Sequence, residues 1–233
     1  MIQWLFPPCC PVCLQPVVPK GAYLHETCAK KLRPLQEPIC KKCGKELQSE
    51  EEEYCAECVL HFREWDMGRS LFPYCGQIRR AVHCVKQDGT KEFVEFFARQ
   101  AELLQTNYIR RIRPDCLVPV PLHPAKQRKR GFNQAELFAV ELGKRLELPV
   151  HLLLRKVKNT REQKQLTREQ RKGNVRDAFA ADLSSVNRIP PRILLVDDIA
   201  TTGSTLSACA ATLKAAGAEQ VFYITICAGD TAD

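Results

Sequence analysis

The sequence predicts an α/β fold, a parallel sheet flanked by helices, with a small metal-dependent module in front of it. Three observations predict this. From residue 116 onward, short apolar runs alternate with helix-like segments, as a parallel sheet requires. One of those runs ends in paired carboxylates followed by a loop of hydroxyl residues and glycine. Four closely spaced pairs of cysteine or histidine crowd the first 60 residues. A chain of 233 residues suits one ordinary domain plus a small appendage. We place the module over residues 1–61 and the sheet domain over residues 62–233.

The module holds most of the chain's 13 cysteines. The pairs are Cys10-x2-Cys13, His25-x2-Cys28, Cys40-x2-Cys43 and Cys55-x2-Cys58. A Cys-x-x-Cys turn presents two thiolates within reach of one tetrahedral Zn²⁺. The segment is too short and polar to build a core, so metal would supply much of its folding energy, on the order of 10 kcal/mol per site. Sequential pairing joins Cys10, Cys13, His25 and Cys28 in one site and Cys40, Cys43, Cys55 and Cys58 in the other. A cross-braced pairing, first pair with third and second with fourth, is the alternative, and Cys9 can stand in for Cys10. Closed four-ligand sites are structural rather than catalytic, so the expectation is one or two structural Zn²⁺. The acidic run Glu50 to Glu53 is expected to be solvated.

In the next segment Ile78, Ala81, Val82 and Val85 keep helical spacing. A second helix runs from Lys91 to Thr106, with Phe93, Phe96, Phe97 and Leu103 toward the core. Arg79, Arg80 and Lys86 could face a ligand, but a solvated helix face is the expectation. Cys116 to Val120 is a strand, and a loop follows at its C-terminal end. Ligands of open α/β sheets bind beyond the carboxyl ends of the strands. Val120, Pro121, Leu122 and His123 are therefore candidate ligand-facing residues. The bases Lys126, Arg128, Lys129 and Arg130 come next, as a pyrophosphate would favour. Asn133 with Glu136 is similar to a capping box, opening a helix that carries Phe138, Leu142 and Leu146.

Residues 155–176 stand apart. Nine bases against two acids leave +7 of the chain's formal +8 here, with few apolar residues between. Arg155, Lys158, Arg161, Lys164, Arg168 and Arg171 are candidate anion contacts, for pyrophosphate or for a nucleic-acid backbone. A solvated loop is the bland alternative. Aromatic residues do not interleave these bases, so base stacking on this loop is not indicated.

The most informative stretch runs from Ile193 to Leu206. Ile193 to Val196 is a continuous apolar run, as a buried parallel strand reads. Asp197 and Asp198 follow, placed to accept hydrogen bonds from vicinal hydroxyls. Ala200 leads into Thr201, Thr202, Gly203, Ser204 and Thr205, at the start of a helix. Unpaired N–H groups and the helix dipole favour a phosphate there. A ligand with a diol at one end and a phosphate at the other fits, namely a 5-phosphoribose. The helix presents Leu206, Cys209, Ala210 and Leu213 on one face and stops at Gly217. Val221 to Cys227 is the last strand.

Stretches long enough to span a membrane are absent from the sequence. The first residues lack the basic and apolar regions of an export signal. Paired cysteine spacing together with these absences gives the expectation of a reducing, cytoplasmic setting.

The Asp197 to Thr205 motif resembles the PRPP-binding motif of type I phosphoribosyltransferases, in which paired acids hold the ribose hydroxyls and the Thr/Gly loop wraps the 5-phosphate. The whole chain is similar to the ComF family of phosphoribosyltransferase-like competence proteins. That resemblance rests on the cysteine knuckles, Val118-Pro119-Val120-Pro121-Leu122-His123, and Arg130-Gly131-Phe132-Asn133-Gln134. It also rests on Thr160-x2-Gln163-x2-Leu166 with Arg171-x2-Asn174-Val175, and on Asp197 to Thr205. It departs from shorter members in its second ligand set and in His25, where cysteine is usual. The resemblance implies a type I phosphoribosyltransferase fold that binds PRPP with Mg²⁺. It also implies a role in handling incoming single-stranded DNA during transformation, with helicase and recombination proteins as partners. Two alternatives stand beside it: an active phosphoribosyltransferase with an unassigned acceptor, in which Asp198 could act as a base, and a PRPP-sensing regulator of DNA binding.

Overall fold

The computed structural model describes residues 8–17, 22–158 and 178–229. Four strands form a parallel sheet in the order β1-β6-β5-β2: β1 (Met67–Pro73), β2 (Cys116–Pro119), β5 (Arg192–Ala200) and β6 (Gln220–Ala228). A separate antiparallel pair joins β3 (Leu154–Lys156) to β4 (Phe179–Ala181). The helices are α1 (Glu26–Ala29), α2 (Ala56–Leu60), α3 (Gly76–Asp88), α4 (Lys91–Leu104), α5 (Thr106–Ile112), α6 (Pro124–Arg130), α7 (Gln134–Leu146) and α8 (Ser204–Ala215).

The pleat sends alternate residues of each strand into two cores. Leu117, Leu194, Val196, Phe222 and Ile224 pack with the buried faces of α3, α4 and α7. Cys116, Val118, Ile193, Leu195, Val221 and Tyr223 pack with α8, with Leu154 and Phe179 of the small pair, and with Cys40, Cys43 and Trp65. The expected faces of α3 and α8 are buried as the spacing predicts. In α4 burial stops at Ala101, and Leu103, expected in the core, is exposed because the last turn extends beyond the packed face.

The sequence did not announce β1, whose Gly68, Arg69 and Ser70 break any apolar run. Its pairing to β6 explains those residues. Ser70 and Thr225 share a buried hydroxyl hydrogen bond at 2.7 Å, and a Cβ at Gly68 would lie 1.9 Å from the Tyr223 ring. Gly68→Ala is therefore expected to lower stability by about 1–3 kcal/mol through overpacking. Thermal unfolding followed by circular dichroism checks this; an unchanged midpoint would mean the ring moves aside freely. The free edge of β1 is covered by the N-terminal module, since Gly68 N–H donates to the Lys42 carbonyl at 2.8 Å and Leu35 N–H to the Leu71 carbonyl at 2.9 Å. An edge covered in this way is closed to pairing with other chains.

Residues 159–176 lie outside the described residues, so Arg161, Lys164, Arg168 and Arg171 receive no structural account. The start of the segment expected as a loop is strand: Arg155 lies within β3, opposite Ala180. Arg155 and Lys158 are exposed. The bases from Lys126 to Arg130, expected as loop, lie on α6, which His123 caps by accepting from Ala125 N–H at 3.2 Å.

Candidate functional site

The paired acids lie inside a strand, not after one. Expected to end at Val196, β5 continues to Ala200, with Asp197 opposite Thr225 and Ile199 opposite Cys227 of β6. The long neighbouring strand keeps offering ladder partners, and these override the local preference of two aspartates for a turn. Successive strand residues alternate in direction, so the two carboxylates address different layers.

Asp198 is buried, and its Oδ2 pairs with Lys86 Nζ of α3 at 2.9 Å. Burial alone would lower the Lys86 ammonium, but the Asp198 carboxylate more than offsets this and holds it above its ordinary value. Lys86 is thus part of the acidic edge, which corrects the expectation of a solvated face. Asp197 is half-buried, and its Oδ1 accepts the Asp198 N–H at 2.9 Å. Burial pushes its carboxyl well above the usual carboxylate range, and the charge of Asp198 adds to the rise.

Lys156, at the end of β3, bears on the same place. Its ammonium lies over the Phe179 ring at 5.1 Å. Burial pushes that ammonium below its ordinary value, the charge of Lys126 adds to the fall, and Asp197 opposes it. Two lysines and a carboxylate therefore share one electrostatic neighbourhood at the carboxyl end of the sheet. Lys156 was missed as a site residue, and Lys86 was set aside in favour of a solvated face, because nothing in a helix or strand pattern marks which lysine turns inward.

The hydroxyl-glycine loop closes the edge. Thr201, Thr202 and Ser204 are exposed, and α8 begins at Ser204. Ser204 N–H donates to Thr202 Oγ1 at 3.3 Å, and the two hydroxyls lie 3.0 Å apart. Gly203 has φ of +71°, and a Cβ there would meet the Trp65 ring at 2.4 Å. Only glycine fits both demands. The loop offers a phosphate the first N–H groups of a 12-residue helix.

Topology brings the second candidate loop alongside. β2 pairs with β5 in parallel, Leu117 opposite Leu194 and Pro119 opposite Val196, so both loops leave the same end of the sheet. Val120 N–H donates to the Val196 carbonyl at 2.9 Å. Asn133 Nδ2 donates to the Val120 carbonyl at 3.0 Å while its Oδ1 caps α7 on Ala135 N–H. That cap replaces the expected pairing with Glu136 and ties α7 to the loop. Val120 is buried, and Pro121, Leu122 and His123 are partly exposed. The chemistry this arrangement supports is the binding of a sugar phosphate: N–H donors for a phosphate, carboxylates for hydroxyls or a divalent cation, and bases for a second anion.

The two metal clusters form as the sequential pairing predicts. Cys10, Cys13, His25 and Cys28 bring one ligand atom each to within 4.8 Å of one another, and so do Cys40, Cys43, Cys55 and Cys58. The cross-braced alternative is excluded, and Cys10, not Cys9, belongs to the first set. His25 Nδ1 lies 3.4 Å from Cys13 Sγ, while its Nε2 faces the Pro16 carbonyl at 3.0 Å. A carbonyl on the outer nitrogen holds the ring with the other nitrogen toward a metal. In the second set Cys43 Sγ and Cys55 Sγ lie 3.6 Å apart. Four sulfurs this close are a donor set for one tetrahedral Zn²⁺, and the residues present fit structural zinc in both sites.

Comparison with known proteins agrees with these parts. Residues 1–59 match the family model of a double zinc ribbon domain. Residues 133–232 match that of a phosphoribosyl transferase domain. The chain is 37% identical to Competence protein F of Haemophilus influenzae over 110 residues, 46% of this chain and 48% of that protein. The match thus spans about half the length of that relative. It is 28% identical to DNA utilization protein YhgH of Escherichia coli over 175 residues, 73% of this chain and 75% of that protein. It is 28% identical to Competence protein ComFC of Bacillus subtilis over 141 residues, 59% of this chain and 54% of that protein. Among the described residues, no helix is long and apolar enough to cross a membrane.

Proposed function

We propose that this chain, which belongs to the ComF family, is a competence protein that handles incoming single-stranded DNA in the cytoplasm and binds Mg²⁺-PRPP on its sheet edge. The observation that carries the reading is the placement of β5 beside β2. It sets Asp197, Asp198 and the Ala200 to Thr205 loop next to Val120, Pro121, Leu122 and His123 at one end of the sheet. Asp197 and Asp198 would hold the ribose hydroxyls and the Mg²⁺ face, Thr201 to Thr205 the 5-phosphate, and the Val120 to His123 loop the pyrophosphate. Bound PRPP supplies an activated C1 with a pyrophosphate leaving group. The residues of this chain position it and balance its charge.

DNA is read from the name of the DNA utilization relatives and from the basic segment that begins at Arg155 and Lys158; that it is single-stranded is part of the proposal. Helicase and recombination partners belong to the same proposal. Fluorescence anisotropy of a labelled oligonucleotide at several salt concentrations tests it. Affinity is expected to fall steeply with salt, and reversing charge at Arg168 and Arg171 should flatten the slope by about one unit per lost phosphate contact. Undetectable or salt-independent binding would sink the DNA reading. Catalysis is the second reading, favoured by the two lysines whose charges act on the paired acids, Lys86 on Asp197 and Asp198 and Lys156 on Asp197. Release of pyrophosphate with a suitable acceptor would identify a transferase.

A further inference from the structure

The two metal clusters are not equivalent in the fold. The first is buried among Val12 and Val17, in a small cluster of its own. The second shares one continuous core with Trp65, Ala200, Leu206 and Tyr223, the residues under the phosphate loop. A small open cleft beside the second cluster is lined both by its ligands Cys43, Cys55 and Cys58 and by Thr201, Thr202 and Gly203 of the loop.

The connection is made of specific bonds. Lys42, between two ligands, offers its carbonyl to Trp65 Nε1 at 3.3 Å. The next residue, the ligand Cys43, offers its carbonyl to the Tyr223 hydroxyl at 2.8 Å. Trp65 and Tyr223 meet edge to face, 5.1 Å between ring centres at 89°. The far edge of the Trp65 ring is where a side chain at Gly203 would be, so the ring sets the height of the loop at its left-handed residue. The next backbone group along, Glu64 N–H, donates to Ser207 Oγ in the first turn of α8 at 3.1 Å.

We propose that the second cysteine site and the phosphate loop are one thermodynamic unit, with Trp65 as the positioning residue between them. Zinc on Cys40, Cys43, Cys55 and Cys58 fixes the Lys42 and Cys43 carbonyls. These fix Trp65 and Tyr223, and Trp65 holds Gly203 in the conformation that points the N–H groups at a phosphate. The metal then acts as an affinity determinant for the ribose phosphate, not only as a fold staple. Linkage requires the reverse as well: a bound phosphate ester must raise the affinity of this site for zinc by the same factor. The inference rests on the reading of the loop as the PRPP site.

The experiment uses the full chain carrying Cys13→Ser, which disables the first site, so that all released zinc comes from the second. Zinc transfer to a chromophoric chelator is followed with and without Mg²⁺-PRPP, and PRPP affinity is measured on the same sample by calorimetry. The expected result is zinc retention about tenfold stronger with PRPP present, within the usual range of coupling between sites. Trp65→Phe keeps an aromatic ring in the core but removes both the bond to the Lys42 carbonyl and the far ring edge that meets Gly203. It should keep zinc and fold while bringing the coupling toward one, which a merely structural role would not do. If the protein binds PRPP and zinc loss is unchanged by it, the inference is overturned and the PRPP reading stands. If the zinc-loaded protein does not bind PRPP, both are overturned.

Discussion

Asp197→Asn is expected to stabilise the fold at neutral pH while weakening PRPP binding, and Asp198→Asn to destabilise it with a similar loss of affinity. The opposite signs follow from the surroundings of the two acids. The folded-state value of Asp197 lies above its unfolded one because burial and the neighbouring charge of Asp198 disfavour ionisation. The stability that goes with the neutral form is therefore complete below about pH 4, the unfolded value. It is lost as pH rises through the folded value. Asparagine imitates the neutral form and can still accept the Asp198 N–H through its oxygen. A rise of roughly 2–4 °C in unfolding midpoint at pH 7 is expected, the shift that about 1 kcal/mol produces at this chain length. At pH 3 the gain should vanish.

Asp198 is the reverse case. Its carboxylate holds the half-buried Lys86 ammonium at 2.9 Å, and the amide would leave that ammonium with only a weak partner. The cost is about 1–3 kcal/mol. Either change should weaken PRPP by at least about tenfold, the worth of one hydrogen bond to a charged group. Thermal melts at the two pH values together with calorimetry check all of this. Equal melting shifts of the same sign would show that the layers treat the two acids alike.

The second large effect concerns metal. Cys40→Ser should release one zinc and unfold the chain broadly, at a cost of more than about 4 kcal/mol. Cys10→Ser should also release one zinc but leave the sheet transition nearly in place. Cys40 lies in the core shared with α8 and β6, whereas Cys10 lies in the small separate cluster. Native mass spectrometry counts the zinc, and the near-ultraviolet melt reports the sheet. Equal losses of stability would mean that the first cluster supports the sheet as much as the second.

The parts that were legible in the sequence are those whose chemistry depends on spacing. Cysteine pairs two residues apart, an apolar run ending in two acids, and glycine among hydroxyls each specify a local geometry. The ligand sets came out as the sequential pairing had them. The strand and helix around Asp197 to Thr205 also came out, although the strand carries the acids further than the apolar run does. What stayed hidden depends on tertiary partners. β1 is held by Ser70, which needs Thr225, and by Gly68, which needs Tyr223, so its own residues carry no strand pattern. Lys86 and Lys156 are two among 35 bases until α3 and β3 are placed against the acidic edge. Trp65 reads as an ordinary aromatic residue, and only Gly203, 138 positions later in the chain, shows why a flat ring is needed there.

The most direct test of the central claim is a calorimetric titration of Mg²⁺-PRPP into the zinc-loaded wild-type protein, run beside the folded Asp197→Asn, Asp198→Asn double variant. Saturable binding is expected in the wild type, with its loss in the double variant. Absence of binding in a folded, zinc-loaded wild-type protein would contradict the PRPP site.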